Sequence, residues 1–318
     1  MAETNLAETA SNDIFLTDGD NPIGHQLIST LTAQGYRVTA RTHSSEGAEK
    51  IRALGGLPVF AQLDRATEIR SMLQMSKAQV VIHTASQNAN HPPFTNPEIT
   101  PETLKKEAQA VVQATRDAGA GYLIHLSYAF LYGDTGDQVA DESAKLATAD
   151  DAYIKAGKAM ETLVTESEVP YSIVRLGYLY GAESNVLQQI DKTLKAARPI
   201  NSGDEKKIAS WISVEDAANL IAQVVAQRPV ESVYNGVDDQ PISLKTFIDF
   251  LLTAQGLQTS SPVASILSLF LPKKAASLLN FSTQVSNAKA KQELGWNLKF
   301  PSYQEGLKDL LMAWRANF

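Results

Sequence analysis

The chain has 318 residues, 44% hydrophobic and 20% charged, with a formal net charge of −7 and no cysteine. That balance gives one large α/β unit or two joined domains with a sizeable core, and it argues against wholesale disorder. The acidic excess argues against a nucleic-acid partner, and the missing thiols exclude disulfides, thiolate metal sites and a cysteine nucleophile.

The opening "MAETNLAETASN" is a polar tail, residues 1–12, without the apolar core of a signal peptide. No apolar run approaches the roughly 18 to 20 residues of a membrane span, so a cytoplasmic protein is expected. "DIFLT" then reads as a strand, followed by the turn "TDGDNPIG" and an amphipathic helix ending near Gly35. "RVTAR", "LPVFAQL" and "AQVVIHTAS" are further strands, separated by the helical "SEGAEKIRALGG" and "ATEIRSMLQMS". "TPETLKKEAQAVVQATRDAG" is a long helix with Thr100 as cap, Pro101 in the first turn and Gly119 at its end. The strands "YLIHLS" and "YSIVRL" flank the helical "DDAYIKAGKAMETLVTES". Apolar strands alternating with amphipathic helices predict an α/β fold, a doubly wound parallel sheet of Rossmann type.

The rhythm loosens from about residue 178. "WISVEDAANLIAQVVAQ" reads as a strand end and a helix, with Ser213 and Asp216 spaced as a capping-box variant. "VESVYNGV" is another strand, and the last third is mostly helical. The predicted division is a dinucleotide-binding domain over 13–177 and a smaller, mostly helical substrate or lid domain over 178–318. Residues 206–236 return to the sheet domain in this reading. Five histidines show no zinc-type spacing, so no metal site is expected, and His83 and His125 read as satisfied core residues.

Several segments, in order and spacing, resemble the extended short-chain dehydrogenase/reductase family of nucleotide-sugar epimerases, dehydratases and related reductases. They are "FLTDGDNPIGHQLISTL", "AQVVIHTAS", "LIHLSYAFLYG", "YIKAGKAMETLV", "VPYSIVRLGYLYG", "WISVEDAANLI" and "NAKAKQELGWNLKFPSYQEGLKDLL". The resemblance implies cofactor contacts at Gly19, Asn21, Ile23 and Gly24 in the phosphate turn and at Ala85 after the fourth strand. In register, the family's first glycine is Asp18, its second is Asn21, and Gly24 keeps the third glycine's packing role. Asp18 and Asp20 place negative charge where phosphates belong, and a turn capped by its own Asp or Asn side chains is the alternative. "ARTHSS" lacks the acid that reads a free ribose hydroxyl. Arg41 and His43 therefore suit a 2′-phosphate and make NADP the preferred cofactor over NAD, although a solvated Arg41 is equally ordinary. Gln62 stands where an aspartate would touch adenine.

For chemistry the resemblance implies a proton-passing tyrosine at Tyr153, with a lysine four residues on. That slot is Gly157. Lys158 lies one residue late, rotated by about 100° on a regular helix, and only a π-bulge or shifted register would bring it in. The family's oxygen-binding Ser/Thr slot is Tyr128, with Ser127 as its neighbour on the opposite strand face. Leu104 replaces the asparagine of the family's N-x-x-G-T helix start. His91 and Tyr180 are the candidate substrate contacts. Two functions follow. One is a divergent NAD(P)-linked reductase, epimerase or dehydratase-like enzyme on a small carbonyl or sugar-derived substrate. The alternative is a catalytically impaired scaffold, with no cofactor, used for ligand or protein binding and regulation. A homodimer through the fourth and fifth helices is the family's usual assembly.

Overall fold

A computed structural model describes residues 12–85, 100–148, 150–184, 187–188, 191–192, 206–256 and 282–316. Runs without a polar face, such as Ile14-Phe15-Leu16 and Val80-Val81-Ile82, become strands buried on both sides. In chain order these are β1 (Asp13–Leu16), β2 (Arg37–Thr42), β3 (Leu57–Phe60), β4 (Val80–His83), β5 (Tyr122–Tyr128), the short β6 (Val139–Ala140) and β7 (Tyr171–Leu176). Six of them join β11 (Ser232–Gly236) in a seven-stranded sheet ordered β11-β7-β5-β4-β1-β2-β3. Every pairing in it is parallel. The chain reverses direction across the sheet between β1 and β4, and ligands of such folds bind beyond the strand ends at that point.

Helices α1 (Pro22–Ala33), α2 (Ser45–Ala53), α3 (Ala66–Ser76), α4 (Pro101–Ala118), α5 (Ala152–Thr165) and α6 (Val214–Gln227) cover the sheet. On one face Ile23, Leu27 and Leu31 of α1 share a core with Leu220, Ile221 and Val224 of α6. On the other, Ile69, Val111 and Val164 bring α3, α4 and α5 together. The caps are local and follow the sequence. Thr100 Oγ1 accepts from the Thr103 amide at 3.1 Å. Gly119 closes α4 at φ +70°. Ser213 Oγ accepts from the Asp216 amide at 2.9 Å and donates to Asp216 Oδ2 at 2.8 Å.

The C-terminal part contributes β8 (Tyr178–Tyr180), β9 (Ile208–Ala209), β10 (Trp211–Ser213), β12 (Ile242–Ser243), α7 (Leu244–Thr253), β13 (Gln284–Val285), α8 (Ala288–Leu294) and α9 (Tyr303–Ala316). Tyr180, Trp211, Phe247, Tyr303 and Leu307 form a separate aromatic core there, with Trp211 stacked on Phe247 at 4.4 Å.

A buried polar network fixes α5 to the sheet. Arg175 on β7 donates to both oxygens of Glu161 on α5, at 2.9 and 2.7 Å. Ser127 on β5 donates to Glu161 Oε1 at 2.6 Å. Arg175 also donates to Tyr132 Oη at 2.8 Å, and Tyr132 donates to Asn235 on β11 at 2.9 Å. Both side chains of the ion pair are 8% exposed. A pair this deep is costly to form and costlier to break, because removing one partner strands the other charge.

His83 and His125 lie side by side in the sheet with their Nδ1 atoms 3.0 Å apart. Burial pushes both below the ordinary histidine range, His125 to about 3. They are core residues, but His125 Nε2 has no hydrogen-bond partner among the described residues, so the expected satisfaction is incomplete. Asp238, just after β11, is also buried, and its Oδ2 lacks a partner among the described residues. Burial pushes this carboxyl up to about 8; the Gln240 amide opposes the shift, and Asp239 and Asp216 add to it.

Replacing Glu161 with alanine should lower unfolding free energy by about 3–5 kcal/mol in urea titrations, and a loss under about 1 kcal/mol would contradict the network's role. Asp238 has a raised folded-state pKa, so its contribution is fully present below its unfolded value of 3.8 and is lost as pH rises through about 8. The stability of Asp238→Asn relative to the parent should therefore climb between about pH 5 and 8, by up to about 1.4 kcal/mol per pH unit. A pH-independent difference would contradict it.

Candidate active site

At the end of β1 the turn closes on itself. Asn21 is the N-cap of α1, and its Oδ1 accepts from the Gly24 amide at 2.7 Å. Asn21 Nδ2 donates to Asp18 Oδ2 at 2.9 Å, and Asp18 Oδ1 accepts from the Asp20 amide at 3.0 Å. Asp20 turns to β2, accepting from Thr42 Oγ1 at 2.6 Å and the His43 amide at 2.9 Å, with His43 Nδ1 2.6 Å from Oδ2. Gly24 keeps the close helix–turn packing, since a Cβ there would stand 2.4 Å from the Asp18 carbonyl. Gly19 donates its amide to the Arg41 carbonyl at 2.8 Å.

A dinucleotide's pyrophosphate needs first-turn amides and an approach free of negative charge. Here Pro22 brings no N–H and the Gly24 amide is already capped, which leaves Ile23. A carboxylate about 5 Å from a phosphate costs roughly 1–3 kcal/mol at effective dielectrics between about 80 and 20. That outweighs the roughly 0.3–1 kcal/mol of a helix terminus. Burial raises the Asp18 pKa, with Arg41 opposing and Asp20 adding to the shift. The residues present do not fit a pyrophosphate in the family's usual pose.

A further carboxylate, absent from the sequence reading, strengthens this. Glu107 on α4 is partly buried, and burial pushes it up to about 7, with Arg41 opposing and Asp18 and Asp64 adding to the shift. Counting from Leu104, Glu107 stands at the glycine of N-x-x-G-T, which was the available signal. Arg41 Nε donates to the Ala61 carbonyl at 2.9 Å, and Gln62 is exposed, its amide donating to Glu68 Oε2 at 3.0 Å.

On the catalytic side Tyr153, Tyr128 and Ala85 come together in one apolar cluster with Leu104, Phe130 and Leu131. Tyr128 donates its hydroxyl to the Ala85 carbonyl. Ala85 is held at φ +47°, a left-handed conformation that costs a non-glycine residue about 1 kcal/mol. Ser127 points the other way, into the Glu161 network. Tyr153 lies in the first turn of α5, where Asp151 caps its amide at 2.8 Å. Burial raises the Tyr153 hydroxyl pKa, and the Asp151 and Glu102 carboxylates raise it further. A proton-passing tyrosine benefits from the opposite shift.

Helix α5 is regular throughout, with no π-turn to rotate Lys158. Its Nζ donates to the Ala147 carbonyl at 2.8 Å. At the lysine slot, a Cβ on Gly157 would stand 2.6 Å from Leu131 Cδ2, so the leucine side chain fills that space. Tyr180 belongs to the C-terminal aromatic core instead of the Tyr153 cluster. His91 lies outside the described residues. Among the described residues there is no group of three or more His, Cys, Asp or Glu side chains fit for a metal, and no helix long and apolar enough to cross a membrane.

Residues 19–235 match the NAD dependent epimerase/dehydratase family. The chain is 26% identical to a 4-hydroxy-2-methyl-3-oxo-4-farnesyl-3,4-dihydroquinoline-1-oxide ketoreductase of Stigmatella aurantiaca, over 94% of this chain and 96% of that one. It is 27% identical to a 3-diazoavenalumate denitrifying reductase of a Streptomyces species, over 92% and 98%. Among solved structures, a dTDP-glucose 4,6-dehydratase of Streptomyces venezuelae with NAD bound superposes with a TM-score of 0.80 at 18% identity, covering 96% and 97%. The parallel sheet order agrees with these matches, and the chain belongs to the NAD-dependent epimerase/dehydratase family.

Proposed function

We propose that this chain is a divergent family member whose Rossmann scaffold binds a ligand or a protein partner, with the tyrosine–lysine relay of hydride transfer inoperative. The observation that carries this reading is the phosphate turn. Asp18 and Asn21 are tied into a hydrogen-bonded cap where a dinucleotide's phosphates would have to lie. The leucine-filled lysine slot and the raised Tyr153 pKa support it independently, because they concern proton transfer rather than binding.

Calorimetric titration tests it. The parent protein should take up neither NADPH nor NADH at about millimolar cofactor, whereas Asp18→Gly with Asn21→Gly should gain at least about fivefold in dinucleotide affinity. Micromolar binding to the parent, or no gain in the double variant, would overturn the reading.

A second reading is an NADP-linked reductase of a small carbonyl or sugar-derived substrate. The full-length relatives named as a ketoreductase and a reductase favour it. In it Tyr153 would supply the proton, Ser127 or Tyr128 would orient the oxygen and Lys158 would assist. Tyr153→Phe should then abolish turnover of whichever carbonyl the parent reduces, and unchanged turnover would remove Tyr153 from that role.

A further inference from the structure

Folds of this kind read the ribose beside adenine at the end of β2, with an acid for a free 2′-hydroxyl or a cation for a 2′-phosphate. Here β2 supplies no acid. It closes on Arg41 and Thr42, and His43 and Ser44 follow. A carboxylate nevertheless occupies the place, and it comes from the neighbouring β1–α1 turn.

Gly19 brings that turn in. Its amide donates to the Arg41 carbonyl at 2.8 Å, and a Cβ on it would stand 2.9 Å from Ala40 Cβ, so a side chain would push the turn off β2. The carboxylate of the next residue, Asp20, then meets three groups at the strand end. Thr42 Oγ1 donates to Oδ1 at 2.6 Å, the His43 amide donates to Oδ2 at 2.9 Å, and His43 Nδ1 lies 2.6 Å from the same Oδ2. The first turn of α2 completes the seat with Gly47, where a Cβ would collide with Asp20 Oδ1. The Asp20 side chain is 9% exposed and that of His43 66%, so the carboxylate is the inner partner and the imidazole the outer wall.

A hydroxyl, a backbone amide and an imidazole converging beside a helix N-terminus are the donor set of an anion site. All three are engaged by Asp20. A 2′-phosphate would have to displace this carboxylate or lie about 5 Å from it, where like charges oppose each other. Arg41 does not restore the balance. Its Nε is held by the Ala61 carbonyl at 2.9 Å, and its charge acts on Asp18 and Glu107.

We infer that Asp20 is a built-in occupant of an anion site at the end of β2, and that it bars a ribose 2′-phosphate from this protein. The inference rests on the closed phosphate turn proposed above and extends it: the ribose end is closed as well, by a different side chain on different partners. It also reverses the charge that Arg41 and His43 present when β2 is read alone.

The probes are 2′-AMP and adenosine, titrated into the full chain and followed by NMR at the amides of His43 and Gly47 and at the His43 ring. The parent should show no saturable shift with 2′-AMP up to about 10 mM. Asp20→Ser removes the carboxylate and should bind 2′-AMP at least about tenfold more tightly than the parent. Asp20→Asn keeps the size of the side chain, guards against a loss of folding, and should gain at least about threefold. Adenosine, which has no phosphate, should gain nothing in either variant. A folded variant without a saturable shift at His43, a parent that binds 2′-AMP as tightly as the variants, or an equal gain for adenosine would each overturn the inference. Neither probe carries a pyrophosphate, so the turn at Asp18 and Asn21 stands or falls separately, by the NADPH and NADH titration.

Discussion

The bidentate pair between Glu161 and Arg175 is the constraint on which the catalytic half of the molecule depends. Both partners are buried, and Ser127 adds a third hydrogen bond to the same carboxylate. A helix held at one buried, charged position cannot rotate without stranding a charge, at a cost of several kcal/mol. With Glu161 fixed, position 157 one turn earlier must face Leu131, and position 153 must face the Tyr128 cluster. Lys158 is therefore held about 100° away from the lysine slot and settles on the Ala147 carbonyl. The pair that fixes α5 thus also keeps Lys158 out of the slot that Gly157 leaves without a lysine.

The binding half departs from the family by a different route. Its backbone turn is intact, with Gly24 still packed against the Asp18 carbonyl and Gly19 still bonded to β2. What has changed is occupancy and charge. Asn21, Asp18 and Asp20 satisfy one another and the neighbouring amides, while Glu107 brings another carboxylate from α4. The two halves meet on α4, where Leu104 packs in the Tyr153 cluster and the Glu107 carboxylate acts on both Asp18 and Tyr128.

The fold was legible because its signals are local. The helix over Ala66–Ser76, the Thr100 and Ser213 caps and the Gly119 terminus each rest on residues within a turn of one another. Ser127's opposite facing followed from strand alternation, and Lys158's offset from the helical period. Contacts between distant segments were not legible. Nothing in "YIKAGKAM" shows that Leu131 fills the space beside Gly157. Nothing near Tyr180 shows that Gly306 admits its hydroxyl and so draws the ring into the C-terminal core. Glu107 was within reach by counting three residues from Leu104, and it was missed because a single glutamate on a solvent-patterned helix carries no periodic signal.

Asn21 already caps the Gly24 amide at the N-terminus of α1, and Asp18 holds Asn21 in place. The most direct measurement follows the backbone amide signals of Ile23 and Gly24 by NMR while NADPH is added up to about millimolar concentration. The Gly24 amide should keep the downfield, exchange-protected signal of a capped group, and neither resonance should move. A shift of both, with Gly24 losing its protection as Asn21 gives way to phosphate, would contradict it.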